Sequence, residues 1–187
     1  MISRADERPP AETERSRSKL ALTGLGVLVV AITAMYIFAF FFASGKSPDK
    51  VPDRAWAVAA EARCASDRAR IYALPPARTF RDIQPLTEAL RRRAVVLDRA
   101  NAMIGEELAA LKAVPIADDT TRKLATQWLA DYDVYLTDRE AHSLVLKAGK
   151  DDAFTETTYK GSPMSNRMDA FARVNLMKSC QVPLDVA

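Results

Sequence analysis

The stretch Leu20 to Ala43 runs 24 residues without a charge, and it constrains this chain more than any other feature. A bilayer core is crossed by about 20 apolar helical residues. Within that core every backbone N–H and C=O has to bond inside the segment, so the stretch is expected to be a transmembrane helix. It exceeds the roughly 7–15 residues of a signal-peptide core, and Phe41 stands where a cut after Ala43 would need a small side chain three positions upstream. An uncleaved anchor is the consequence. The chain then divides into an arm, 1–19, the span, 20–43, a short tether, 44–52, and a helical domain, 53–187.

The arm carries Pro9-Pro10, four acidic and five basic residues and almost nothing apolar, a composition expected to stay disordered. Arg15, Arg17 and Lys19 crowd its end, whereas Lys46, Lys50 and Arg54 are spread more thinly beyond the span. The positive-inside rule therefore leans toward a cytoplasmic N-terminus and an extracytoplasmic domain. Both cysteines, Cys64 and Cys180, fall in that domain. An even pair there suits a disulfide outside the cytoplasm, with two separate buried thiols as the alternative.

Residues 44–187 hold 22 Lys plus Arg against 20 Asp plus Glu, too even a balance to imply nucleic acid. Its periodicity predicts an all-α fold, an antiparallel bundle of about four helices behind the single span. Asp53 caps a first helix reaching about Leu74, with Trp56, Ala60, Cys64 and Ile71 on one face. Thr79 and Asp82 have capping-box spacing ahead of a second helix, with Pro85 in an early turn. That helix carries Ile83, Leu86, Leu90, Ala94, Leu97, Asn101, Ile104, Leu108 and Leu111 at spacings of three and four and ends before Pro115. Asn101, the polar member of this seam, is expected to fix register or bond locally. A third helix runs from Asp118 or Asp119 to about Ala148, with Gly149 after it and Leu124, Trp128, Tyr132, Tyr135 and Leu146 facing inward. Following a polar loop, 150–161, a fourth helix opens at Ser162-Pro163, carries Met164, Met168, Phe171 and Asn175 on one face, and ends close to Cys180.

The second and third helices are oppositely biased in charge. Folded back about Ile116, they would set Asp133 opposite Arg99, and Asp138 and Glu140 opposite Arg91, Arg92 and Arg93, so charge pairing is expected to set hairpin register. In the span, Gly24, Val27, Ala31 and Ala34 form a small-residue seam suited to a homodimer or to a partner's span.

No Gly-rich phosphate loop, Gly-x-Ser-x-Gly elbow or haem-attachment motif appears. The single histidine, His142, follows Asp138 by four residues, but a metal site needs three or four ligands, and a surface or helix-boundary position is expected for it. Neither a catalytic site nor a cofactor is therefore expected. The tether reaches on the order of 30 Å at most, which keeps the domain near the bilayer. The partners that fit are the lipid bilayer and another membrane or envelope protein. The expected function is a non-catalytic interaction or accessory module; the alternatives are a bundle that captures a lipid or small apolar ligand, and an enzyme using scattered carboxylates. No second span follows, so direct transmembrane signalling is not expected.

Overall fold

The computed structural model describes residues 12–41 and 47–183, with side chains described for 24–39 and 47–183. The chain forms two compact units, Met1–Lys46 and Ser47–Ala187.

The described residues of the first unit form one helix, α1 (Glu12–Phe41). It begins eight residues before Leu20, inside the arm whose composition predicts disorder. Extending an existing helix costs little once its first turn has formed, and Glu, Arg and Lys propagate it well. Residues 1–11 lie outside the described residues. Every side chain described in α1, Gly24 to Ala39, is exposed. Among the described residues no helix is long and apolar enough to cross a membrane. The described side chains of α1 number 16, fewer than the roughly 20 that a crossing requires; the side chains at both ends of the expected span lie outside them.

The second unit is all-α apart from one short hairpin. Its helices are α2 (Arg54–Tyr72), α3 (Leu86–Lys112), α4 (Asp119–Lys147) and α5 (Met164–Val174). Asp53 caps α2 by accepting from the Trp56 amide at 3.1 Å, and Asp118 caps α4 by accepting from Thr121 at 2.6 Å. Gly149 takes φ +78° just beyond α4, where a glycine avoids the Cβ penalty. Thr79 makes no capping box: it lies in a 3-10 turn, Ala77–Phe80, and Pro85 itself precedes the first residue of α3. Of the α3 seam, Leu90, Ala94, Leu97, Asn101, Ile104, Leu108 and Leu111 are buried, while Leu86 is 52% exposed. The seam works only from the second turn onward.

Trp128 of α4 is the centre of the core. Its ring stacks on Phe171 of α5 at 5.3 Å and meets Tyr132 and Trp56 edge-on at 5.1 and 6.3 Å, joining α2, α4 and α5. The indole N–H donates to the Met168 carbonyl at 3.2 Å. Cys64 and Cys180 are joined in a disulfide with both residues fully buried, tying the middle of α2 to the end of the chain.

α5 stops at Val174, short of the expected end near Cys180. Its carbonyls are closed by a turn in which Leu176 and Met177 donate to Arg173 and Ala172, the pattern of a Schellman cap. Leu176 occupies the left-handed position of that cap at φ +61°. A short 3-10 turn, Lys178–Cys180, then brings the sulfur back to α2. The loop before α5 contains a feature absent from the sequence reading, a two-stranded hairpin of β1 (Thr158–Tyr159) and β2 (Ser162–Pro163). Its two turn residues, Lys160 and Gly161, both have positive φ, as a type I′ turn requires.

Candidate functional site

The expected charge pairing between α3 and α4 is corrected by the structure. Arg91 and Arg92 both bond Glu88 on their own helix, and Arg93 pairs with Asp151 at 2.7 Å. Asp133 takes Lys112 at 2.8 Å instead of Arg99, Asp138 accepts from the Thr157 amide and hydroxyl, and Glu140 and Arg99 are exposed. The physical reason is the connector. Residues 113–118 leave the helical path, and six residues can carry the chain up to about 20 Å, the rise of about 13 helical residues. α4 therefore starts back well beyond the end of α3. The real register is held by Asn101 accepting from Arg139 Nε at 2.8 Å, by Asp98 bonded to Ser143 and Lys147, and by Lys112 with Asp133.

The overhang leaves a groove of about 520 Å³ between the connector and the first half of α4. Leu111, Val114, Ile116, Leu129 and Ala130 supply apolar walls, and Lys112, Arg122 and Asp133 supply charges. Such a groove can take an apolar segment and orient it by charge. Asp53 accepts from the Ala117 amide at 3.3 Å and donates from its own amide to Thr121 Oγ1 at 3.0 Å, so the groove lies beside the start of α2.

On the other side of that start, Asn175 acts as a clamp. Its amide nitrogen donates to the Asp49 and Phe171 carbonyls at 2.9 and 3.0 Å, and its Oδ1 accepts from the Val51 amide at 2.8 Å. Arg54 donates to the Asn175 carbonyl at 3.2 Å. Val51, expected to be tether, is buried, because Asn175 satisfies its backbone. Leu176, the next residue after the clamp, is 72% exposed. Its left-handed backbone costs roughly 1–2 kcal/mol for a residue with a Cβ.

A third site surrounds the disulfide. A Glu107 oxygen and the two sulfurs lie within 4.8 Å of one another. Burial, reinforced by the nearby Asp67, pushes the Glu107 carboxyl up to about 7. With both sulfurs in a disulfide no thiolate is available to bind a metal or attack a substrate. The adjoining cavity, between Arg68, Ile71, Ile104 and Tyr132, is about 10 Å³, no larger than a water. Tyr132 donates to the Cys180 carbonyl at 2.6 Å, and burial raises its hydroxyl well above the ordinary range.

His142 is buried, against the expectation of a surface or boundary position. Its ring lies 5.5 Å from that of Phe154, which folds in from the loop after α4, and burial with Arg93 and Arg139 nearby lowers its pKa. Gly24, Val27, Ala31 and Ala34 lie on α1, where all four are exposed. Sequence reasoning missed Glu107 as a partner of the disulfide, Asn175 as a clamp and Leu176 as an exposed cap. The alternation of the apolar seam carried no trace of the first, and the Asn175-Leu176 pair at the end of a helical pattern was the available signal for the others.

No family model, curated relative or solved structure matches the chain.

Proposed function

We propose that this chain is a single-pass, membrane-anchored interaction module, with its N-terminus in the cytoplasm and a disulfide-linked bundle of four helices outside it. The single observation that carries the reading is α1: its described residues, Gly24 to Ala39, are uncharged, and every one is exposed. A helix apolar on all sides has no stable place in water unless something covers it, and lipid is the solvent that suits it. The buried Cys64–Cys180 disulfide supports an extracytoplasmic domain, since such bonds persist in oxidising compartments. The domain acts as an accessory to another membrane or envelope protein, held near the bilayer by a short connection. Purification of the full chain in mild detergent, with quantitative mass spectrometry of what accompanies it, tests this. A stoichiometric membrane protein partner supports the reading; recovery in the carbonate-soluble fraction of cells would overturn the anchor on which it stands.

A second reading, capture of a lipid or small apolar molecule, is favoured by the groove between the connector and α4. Its volume falls within the roughly 300–1,000 Å³ usual for ligand sites. A lone protein copurifying with a defined lipid would move the assignment there.

A further inference from the structure

The surface around Leu176 has no role in the fold that its chemistry explains. A leucine fills the left-handed cap position after α5, at φ +61°, where glycine would meet no backbone penalty. The side chain so placed is 72% exposed. Four cations lie close to the same clamp along the chain. Arg173 and Lys178 lie two or three residues from Asn175 in sequence, Arg54 donates to the Asn175 carbonyl, and Lys50 sits between two residues bonded to the Asn175 side chain. All four are exposed; of the exposed acids nearby, Asp49 adjoins Lys50, and Asp119 pairs with Arg122. This is also where the chain enters the domain: the segment bonded to Asn175 begins at Asp49, six residues after Ala43 ends the uncharged run.

We propose that Leu176 and the exposed cations Lys50, Arg54, Arg173 and Lys178 form a docking surface for an anionic lipid bilayer, setting the domain on the membrane with this end down. The inference rests on the anchor reading above. Six residues reach about 20 Å at full extension, so this end cannot leave the neighbourhood of the headgroups. An exposed leucine with Lys and Arg close by in the chain suits the boundary between anionic headgroups and hydrocarbon. A tethered domain needs only weak surface affinity, because the tether holds the local lipid concentration high.

The full chain reconstituted into vesicles tests the surface. The probe is Leu176→Trp in bilayers of brominated phosphatidylcholine, with or without about a third of anionic phosphatidylglycerol. Trp56 and Trp128 are buried in the core, so the unsubstituted chain supplies the background. Bromine quenching at least twofold above that background, in anionic vesicles only, and returning to background when Arg173 and Lys178 are changed to glutamine, is the expected result. Quenching at background in a chain that resists carbonate extraction overturns the docking surface and leaves the anchor standing. A chain that carbonate releases overturns both. Leu176→Gly supplies an independent check without a bulky probe: backbone amides 173–178 should lose their bilayer-dependent protection from hydrogen exchange, and unchanged protection would overturn the proposal.

Discussion

The carboxyl of Glu107 lies within 4.8 Å of the Cys180 sulfur, buried beside a disulfide and close to a second buried acid, Asp67. Desolvation and like charge both favour its protonated form, which puts its pKa at about 7 in the folded chain against an ordinary value of 4.5. The folded state therefore holds a proton that the unfolded state has released between those two values. Stability from this group is fully present below about 4.5, falls as pH rises through about 7, and is level above it. The shift corresponds to a loss on the order of 3 kcal/mol across the window. Urea unfolding at pH 5 and pH 8 should reveal it, and Glu107→Gln should flatten the slope. An unchanged slope in the variant would assign the pH dependence to other groups.

Removing the disulfide is predicted to cost more than any single surface change. Cys64 and Cys180 are 116 residues apart, and in the chain-entropy model closing such a loop contributes about 5 kcal/mol. Domains of this size have only about 5–15 kcal/mol in total. The paired variant Cys64→Ala/Cys180→Ala should therefore unfold at a much lower urea concentration than the oxidised chain. Reduction of the native chain should shift its electrophoretic mobility. A change under about 1 kcal/mol would mean that the packing of Trp56, Trp128 and Phe171 holds these ends together without the bond.

Asn175→Ala should release the start of the domain. The substitution removes the acceptor of the buried Val51 amide and the donor to the Asp49 and Phe171 carbonyls. A buried group left without its partner costs about 1–3 kcal/mol, so a loss of about 2–3 kcal/mol is expected. The Val51 amide should exchange with solvent much faster, while amides in the middle of α4 keep their protection. Equal acceleration throughout would mean that Asn175 supports the whole fold rather than the clamp.

The elements were legible in the sequence because their signals are local. Asp53 and Asp118 cap the helices expected of them, Gly149 ends α4, and the seam from Leu90 to Leu111 is buried. Register was not legible, because it depended on how far residues 113–118 carry the chain before α4 turns back. A tight fold-back about Ile116 puts Asp133 opposite Arg99; the actual connector puts it opposite Lys112. The same displacement opens the groove, so the groove was invisible for the same reason. Arg139 and His142 continue the three-four spacing of Trp128, Tyr132, Tyr135 and Leu146, so their burial follows the periodicity of α4; it was missed because polar residue types mask an inward-facing position. Their partners, Asn101 and Phe154, come from α3 and the following loop. The Cys64–Cys180 pairing, by contrast, needed no register: two cysteines allow one intramolecular bond, and the chain forms it.

Leu176→Gly is the substitution in which folding and surface chemistry should separate. Its position has φ +61°, the helix-capping turn is closed by backbone bonds alone, and the side chain is 72% exposed. Glycine accepts that backbone without a Cβ clash, so the folded state gains roughly 1 kcal/mol or more. Against this, glycine gives the unfolded chain extra freedom worth roughly 0.4–1 kcal/mol. The net should be stability unchanged to raised by about 1 kcal/mol, an unusual result for deleting a large apolar side chain. Thermal or urea unfolding of the full chain in detergent checks it. A clear destabilisation would mean that Leu176 packs within the fold, and an exposed leucine could then no longer be read as a surface kept for something outside the chain.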